Sequence, residues 1–261
     1  MEKIKKISII IILFFCANIL YPNILYKQNK FQSKQIILVL TKNWNTTEGK
    51  LYFWEVSKNK WNKVIENVPV VLASKGLAWG RGLLDINYLK GRLKQEGDSC
   101  SPAGIFKIKR AFGYIKKDSL NINLDYFQAD STTFCVDDVN SKYYNQLVDI
   151  DTIKQIDWKS RERLRFYNSD LYKFCIVIEH NTENIKPSLG SCIFIHLWLK
   201  DRKNSEKYIP TSGCTSLSEE NIIKLINLLD KNKNPIIIQL PITEYKKISK
   251  IFNLPFDHNM E

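Results

Sequence analysis

In Thr211-Ser212-Gly213-Cys214-Thr215 a cysteine directly follows a glycine, and upstream His196 ends the apolar run Cys192-Ile193-Phe194-Ile195. A thiol with a free pKa of about 8.5 is mostly protonated at neutral pH, so nucleophilic use needs a neighbouring base or a positive helix terminus. His196 is the base that would complete a Cys–His pair. Gly213 allows close backbone approach, and the N–H groups of Gly213 and Cys214 can line an oxyanion hole. The imidazole also needs an acceptor on its other nitrogen. No acid follows nearby, so the carbonyl of Leu197 is the expected partner. Ser216-Leu217-Ser218-Glu219 has capping-box spacing, which predicts a helix opening there with its N–H groups directed back toward Cys214. With three histidines and six cysteines in 261 residues, bland alternatives stay open at this point. A buried Cys is often an inert small hydrophobe, and a strand His is often a satisfied core residue.

These residues need a scaffold, and the chain reads as short strands divided by turns. Residues 35–40 form a compact apolar run, the pattern of a buried strand. Residues 51–56 and the segment at Trp61 flank the polar turn Ser57-Lys58-Asn59-Lys60, the pattern of a hairpin. Residues 68–73, 174–178, 192–196 and 236–240 read as further strands. Ile222, Ile223, Ile226 and Leu229 recur at helical spacing and give that helix one apolar face. Residues 243–251 read as a closing helix. The expected fold class is mainly β with a few helices (α+β), in one domain over residues 34–252, because no repeat or flexible linker divides the chain.

At the N-terminus Lys3, Lys5 and Lys6 precede an apolar stretch over residues 7–17. That stretch is shorter than the roughly 20 residues of a permanent span and fits the core of a signal peptide. Residues 1–22 are therefore expected to export the body to the periplasm or cell envelope. Three fates stay open: a cleaved signal, an uncleaved anchor giving membrane association, or lipidation at Cys16. The formal charge is +12, about +10 without the basic head. Basic and aromatic residues are not interleaved as in a single-strand reader, so nucleic acid is not an expected partner.

Cys100, Cys135, Cys175 and Cys192 allow one or two bridges, and spacing does not choose the pairing. No CxxC pair or Cys/His cluster suggests a metal. Cys192 falls on the face of His196 by strand alternation. His180 reads as a structural histidine. Asp137 and Asp138 point to opposite faces if extended, which favours structural or turn roles over an acid pair. Glu96-Gly97-Asp98 reads as turn chemistry, with Asp98 and Arg81 also candidates to line a substrate groove.

Several segments in order resemble one family. Ser212-Gly213-Cys214 with His196 is similar to the catalytic centre of the YkuD-type L,D-transpeptidases. Leu77-Ala78-Trp79-Gly80-Arg81-Gly82, Glu96-Gly97-Asp98 and Ser101-Pro102-Ala103-Gly104-Ile105-Phe106 match the family's approach to the site. Cys135-Val136-Asp137-Asp138, Ser141 with Tyr144-Asn145, and Glu179-His180-Asn181 resemble a subgroup with Ser or Ala before Gly-Cys. The resemblance extends over roughly residues 35–241. It implies a β-sandwich with a helix following the catalytic cysteine, no cofactor, and peptidoglycan stem peptides as partners. It implies Cys214 as nucleophile, His196 as base, support from Gly213, Ser212 and Leu197, and possible substrate contacts at Arg81, Asp98 and Thr215. Ser212 stands where the family usually has a second histidine, and Ser216 where an Arg or Asn is frequent. The implied reaction is acyl transfer between stem peptides. Hydrolysis through the same acyl-enzyme, as a carboxypeptidase or in release of wall-linked protein, is the alternative, and a silent wall-binding protein is a more distant one.

Overall fold

The computed structural model describes residues 31–86, 89–204 and 206–260. The export segment expected at residues 1–22 lies outside them. Contacts divide the chain into two compact units, residues 33–243 and a smaller unit that includes residues 244–260.

The larger unit is built on a meander of β1 (Gln35–Thr41), β2 (Glu48–Ser57) and β3 (Lys60–Val71). Every residue of β1 is buried, which is why its sequence is a continuous apolar run and not an alternating one. Lys58 and Asn59, at φ 50° and 60°, make the two-residue loop whose twist suits a hairpin. The separate run expected at residues 68–73 is the end of β3. A register shift interrupts that strand near Asn67, whose φ is 56° and whose Oδ1 accepts the Tyr52 hydroxyl at 3.0 Å.

The strand β5 (Ser101–Gly113) belongs to two parts of the sheet. Its first half pairs with β13 (Ile236–Pro241) and its second half with β10 (Phe174–Ile178). β10 pairs with β11 (Phe194–Leu197), β11 runs parallel to β12 (Thr215–Leu217), and β12 meets β3. Since β13 also pairs with β1, the path of strands returns to β5 and closes. β4 (Leu77–Trp79) and β6 (Asp125–Gln128) run parallel to the two ends of β5. A separate three-stranded sheet has β7 (Thr133–Val136) between β8 (Leu147–Asp149) and β9 (Arg161–Arg163). The expected mainly β, α+β class with a helix after Cys214 is what the chain forms.

Two boundaries differ from expectation. The helix α1 (Glu219–Leu228) is capped by Ser218, whose hydroxyl accepts the Asn221 N–H at 3.4 Å, and not by Ser216. Residues 215–217 are drawn into the sheet between β11 and β3, and those ladder bonds override the local capping pattern. At roughly 3.3 Å per strand residue the helix terminus is about 10 Å or more beyond Cys214, outside the reach of its end charge. Second, β11 begins at Phe194, because Cys192 sits at φ 54° and cannot extend the strand.

From Glu244 onward α2 (Ile242–Phe252) belongs to the smaller unit, within which the Tyr245 hydroxyl donates to the Pro255 carbonyl. Among the described residues no helix is long and apolar enough to cross a membrane.

A buried polar bridge ties β12 to β13 and the start of β5. Thr215 Oγ1 donates to Gln239 Oε1 at 2.6 Å, and Gln239 Nε2 donates to the Pro102 carbonyl at 3.0 Å. Replacing Gln239 by Leu leaves a buried hydroxyl and a carbonyl without partners, each costing about 1–3 kcal/mol. Urea unfolding of Gln239→Leu should show a loss of about 2–5 kcal/mol; an unchanged midpoint would contradict the bridge.

Candidate active site

Cys214 and His196 share a cleft because of strand register. In the parallel pair β11–β12, His196 is the Cα partner of Ser216 and Ile195 that of Thr215. Cys214 lies two residues before Ser216, and alternation puts Cys214 and Ser216 on one face and Thr215 on the other. Cys214, His196, Ser216, Ser212 and Gly213 accordingly line one cavity of about 370 Å³. Thr215 is fully buried and directed at Gln239, so it does not face the cleft.

The sulfur is held by backbone groups. Phe194 N–H donates to Cys214 Sγ at 3.3 Å, and the thiol donates to the Cys192 carbonyl at 3.6 Å. Below it pack Phe112, Phe194, Tyr172 and Cys175. Burial in this apolar bed pushes the Cys214 thiol up to about 12, against the smaller lowering effect of the Phe194 N–H. His196 is buried as well, and burial holds its imidazole down at about 4. Its Nδ1 is 2.8 Å from the Leu197 carbonyl, so Nδ1 carries the proton and Nε2 the lone pair. Tyr172 packs edge-on against the ring at 5.3 Å, and the Tyr172 hydroxyl donates to Glu162 Oε1 at 3.1 Å. The resting site is thus a neutral thiol and, in the same cavity, a neutral imidazole able to accept a proton. Separating them into thiolate and imidazolium would cost on the order of 10 kcal/mol before their mutual attraction is counted.

The Cys214 carbonyl accepts Thr211 Oγ1 at 2.6 Å and Ser101 Oγ at 2.9 Å, and Gly213 N–H donates to Thr211 Oγ1 at 3.3 Å. A Cβ on Gly213 would lie 3.1 Å from Ile193 Cδ1, so the glycine lets this turn pack closely on the segment that carries His196. Ser101 lies inside the segment Ser101-Pro102-Ala103-Gly104-Ile105-Phe106, and its hydroxyl does the positioning.

The other candidates are placed elsewhere. The Arg81 guanidinium donates to Asn181 Oδ1 at 2.6 Å and to the Asn184 carbonyl at 3.0 Å. It lines a separate, larger cavity of about 640 Å³ that contains neither Cys214 nor His196. Asp98 accepts from Lys94 Nζ at 2.6 Å and from the N–H groups of Gln95 and Cys100, a turn-holding role. His180 is buried, with Nε2 2.9 Å from the Leu189 carbonyl, and burial lowers it to about 3. Asp138 accepts the N–H groups of Asn140 and Lys159. Asp137, on the opposite side of the chain, lines the cleft with Glu162. Nothing in the sequence singled out Tyr172 or Glu162; Glu162 enters the site through the pairing of β9 with β7, and Tyr172 from the turn before β10.

The open question of cysteine pairing resolves as Cys135–Cys192, while Cys100, Cys175 and Cys214 are free thiols; Cys16 lies outside the described residues. The bridge closes 57 residues of chain, which stabilises the folded state by roughly 4 kcal/mol in the chain-entropy model. It also fastens the small sheet to the segment whose carbonyl meets the thiol. Among the described residues no group of three or more His, Cys, Asp or Glu side chains is placed to hold a metal.

With a thiol pKa near 12, the thiolate fraction grows tenfold per pH unit below that value. Iodoacetamide labelling of Cys214 in the folded chain, followed by peptide mass, should rise about tenfold per unit from pH 7 to pH 10. A plateau below pH 8 would mean that a thiolate–imidazolium pair already exists at rest.

Among solved structures, the chain is similar to the helical cell shape determining protein Pgp2 from Campylobacter jejuni, with 17% identity and a TM-score of 0.35 over 84% of this chain and 54% of that one. A mutant of that protein matches at 15% identity and a TM-score of 0.37, over 88% and 59% of the two chains. The chain therefore spans a little over half the length of the solved chains it matches. No curated protein matches. The model of the YkuD L,D-transpeptidase catalytic domain matches residues 43–238, most of the larger unit and all of the cleft, and the chain belongs to that family of peptidoglycan-acting acyl-transfer domains.

Proposed function

We propose that the protein is a peptidoglycan L,D-transpeptidase that works through a cysteinyl acyl-enzyme. The observation that carries this reading is the shared cleft of Cys214 and His196, with Nδ1 of the imidazole engaged by Leu197 and Nε2 left as base. As the donor carbonyl arrives, His196 Nε2 takes the thiol proton and Cys214 Sγ attacks the carbonyl carbon of the L-centre residue. The N–H of Cys214 holds the resulting oxyanion, joined by that of Gly213 when it turns from Thr211 Oγ1. Collapse breaks the peptide bond, and the imidazolium protonates the departing amine of the terminal D-amino acid. The thioester is then attacked by an amine of a second stem, whose proton passes to His196 and on to the regenerated thiol. Burial keeps the charge-separated state sparse at rest, so the thiol is protected until a ligand fills the cleft.

The exposed Ser212 hydroxyl supplies a hydrogen bond at the cleft rim but no titrating group near neutral pH. Residues 34–252 are read as the catalytic domain, and residues 1–22 as a segment that exports it to the periplasm or cell envelope, with membrane association where the segment is retained.

Purified tetrapeptide muropeptides should be converted to cross-linked dimers by the wild-type chain, and Cys214→Ala should lower turnover by about 10⁴-fold or more. A carbapenem should add its mass to the wild type and not to Cys214→Ala. Shortened monomers without dimers would assign hydrolysis in place of transfer. Full activity in Cys214→Ala would overturn the nucleophile.

A further inference from the structure

One wall of the catalytic cleft is the small sheet, and its two faces differ. Cys135 on β7 is the direct cross-strand partner of Glu162 on β9, and Asp137 follows Cys135 by one alternation, so all three share a face. The other face carries Phe134, with the Arg161 guanidinium 4.4 Å and that of Arg163 6.0 Å from its ring. The Cys135–Cys192 bridge fastens the acidic face to the chain entering β11. Asp137 and Glu162 thereby line the same cavity as Cys214 and His196.

The remaining charges of that cavity are matched within the protein. Lys94 Nζ is held by Asp98 Oδ1 and the Gln95 carbonyl at 2.6 and 2.7 Å. Glu96 accepts the hydroxyls of Tyr144 and Ser191. Asp137 differs, because its Oδ1 is buried and has no hydrogen-bond partner. Glu162 receives the Tyr172 hydroxyl, and its carboxyl is pushed up by burial and, less strongly, by the Asp137 charge. A buried carboxylate oxygen without a donor is costly, and two nearby carboxylates repel. A ligand cation with several N–H donors removes both costs at once.

Resting on the acyl-transfer reading above, we propose that Asp137 and Glu162 are specificity-determining residues that bind the primary ammonium of a diamino residue in a stem peptide. That ammonium can belong to the donor stem, as its side chain, or to the incoming acceptor, as the attacking amine. On the donor it would orient the stem. On the acceptor it would hold the ammonium in the cleft, where loss of one proton to solvent gives the attacking amine and its second proton passes to His196 as the thioester is attacked.

The test uses the full chain carrying Cys214→Ala, so that ligand is bound and not consumed. The probe is L-Ala-γ-D-Glu-meso-diaminopimelyl-D-Ala with its side-chain amine free or acetylated, titrated calorimetrically. Acetylation should weaken binding about tenfold or more, and adding Asp137→Asn with Glu162→Gln should bring that ratio near one. An unchanged ratio, or no binding of either peptide, overturns the proposal. If the double variant does not fold, Asp137→Asn alone decides, since it removes charge at an oxygen that has no bond to lose.

With Cys214 intact, two further measurements locate the source. A raised acceptor KM against an acetylated donor assigns the ammonium to the acceptor. A raised KM for release of the terminal residue from the free-amine donor assigns it to the donor. A carbapenem adduct on Cys214 together with an unchanged binding ratio means that this proposal fails and the acyl-enzyme stands. Absence of both adduct and product removes the acyl-transfer reading, and the calorimetric ratio still decides the ammonium site.

Discussion

The carbonyl oxygen of Cys214 receives two hydroxyl groups, Ser101 Oγ at 2.9 Å and Thr211 Oγ1 at 2.6 Å, and the thiol's position follows from them. Ser101 Oγ also accepts the Ala73 N–H at 3.0 Å. One buried hydroxyl therefore joins the start of β5, the chain leaving β3 and the approach to β12. β5 is also the strand on which the sheet closes, pairing with β13 and then with β10. Cys214 is in this way referenced to the strand that pairs on both sides of the closed sheet and not to a free loop. A slip of one residue in β12 would turn Cys214 inward and Thr215 into the cleft, so the site depends on that register.

The same packing that fixes the sulfur sets its electrostatics. Phe112, Phe194 and Tyr172 exclude water beneath Cys214, and desolvation pushes the thiol up and His196 down. Both residues rest uncharged, which a low-dielectric site favours. Once a proton moves between them, that low dielectric strengthens the attraction of the resulting pair. The Phe194 N–H is already in place to donate to the thiolate. In the proposed reaction, activation would come from local backbone dipoles and the imidazole, because the terminus of α1 is separated from the thiol by a strand.

The disulfide adds a second constraint. Cys192 is in a left-handed conformation, its N–H donates to Asn145 Oδ1 at 2.9 Å, and its carbonyl meets the thiol. Asn145 in turn donates to the carbonyls of His180 and Asn181. Asn145, within the visible motif Tyr144-Asn145, thus clamps the segment entering β11 to the backbone of His180 and Asn181. Its role is to hold the shape of the cleft.

Local pattern determined much of this protein. The unbroken apolar run of β1, the polar hairpin at Lys58 and Asn59, and the ordered matches around Gly213-Cys214 and His196 are properties of neighbouring residues, so they are legible in one dimension. The Leu197 carbonyl as acceptor for His196 is equally local, being one residue away. Tertiary structure alone decided the start of α1, which yielded to sheet pairing at residues 215–217, and the burial of Thr215 on Gln239. It also separated Arg81 from the cleft, chose Cys192 for Cys135, and brought Asp137, Glu162 and Tyr172 to the cavity of Cys214. Each of these depends on which strand lies beside which. That choice is made by closing the whole sheet around a common core, an energy summed over residues far apart in the chain and invisible in any single window of it.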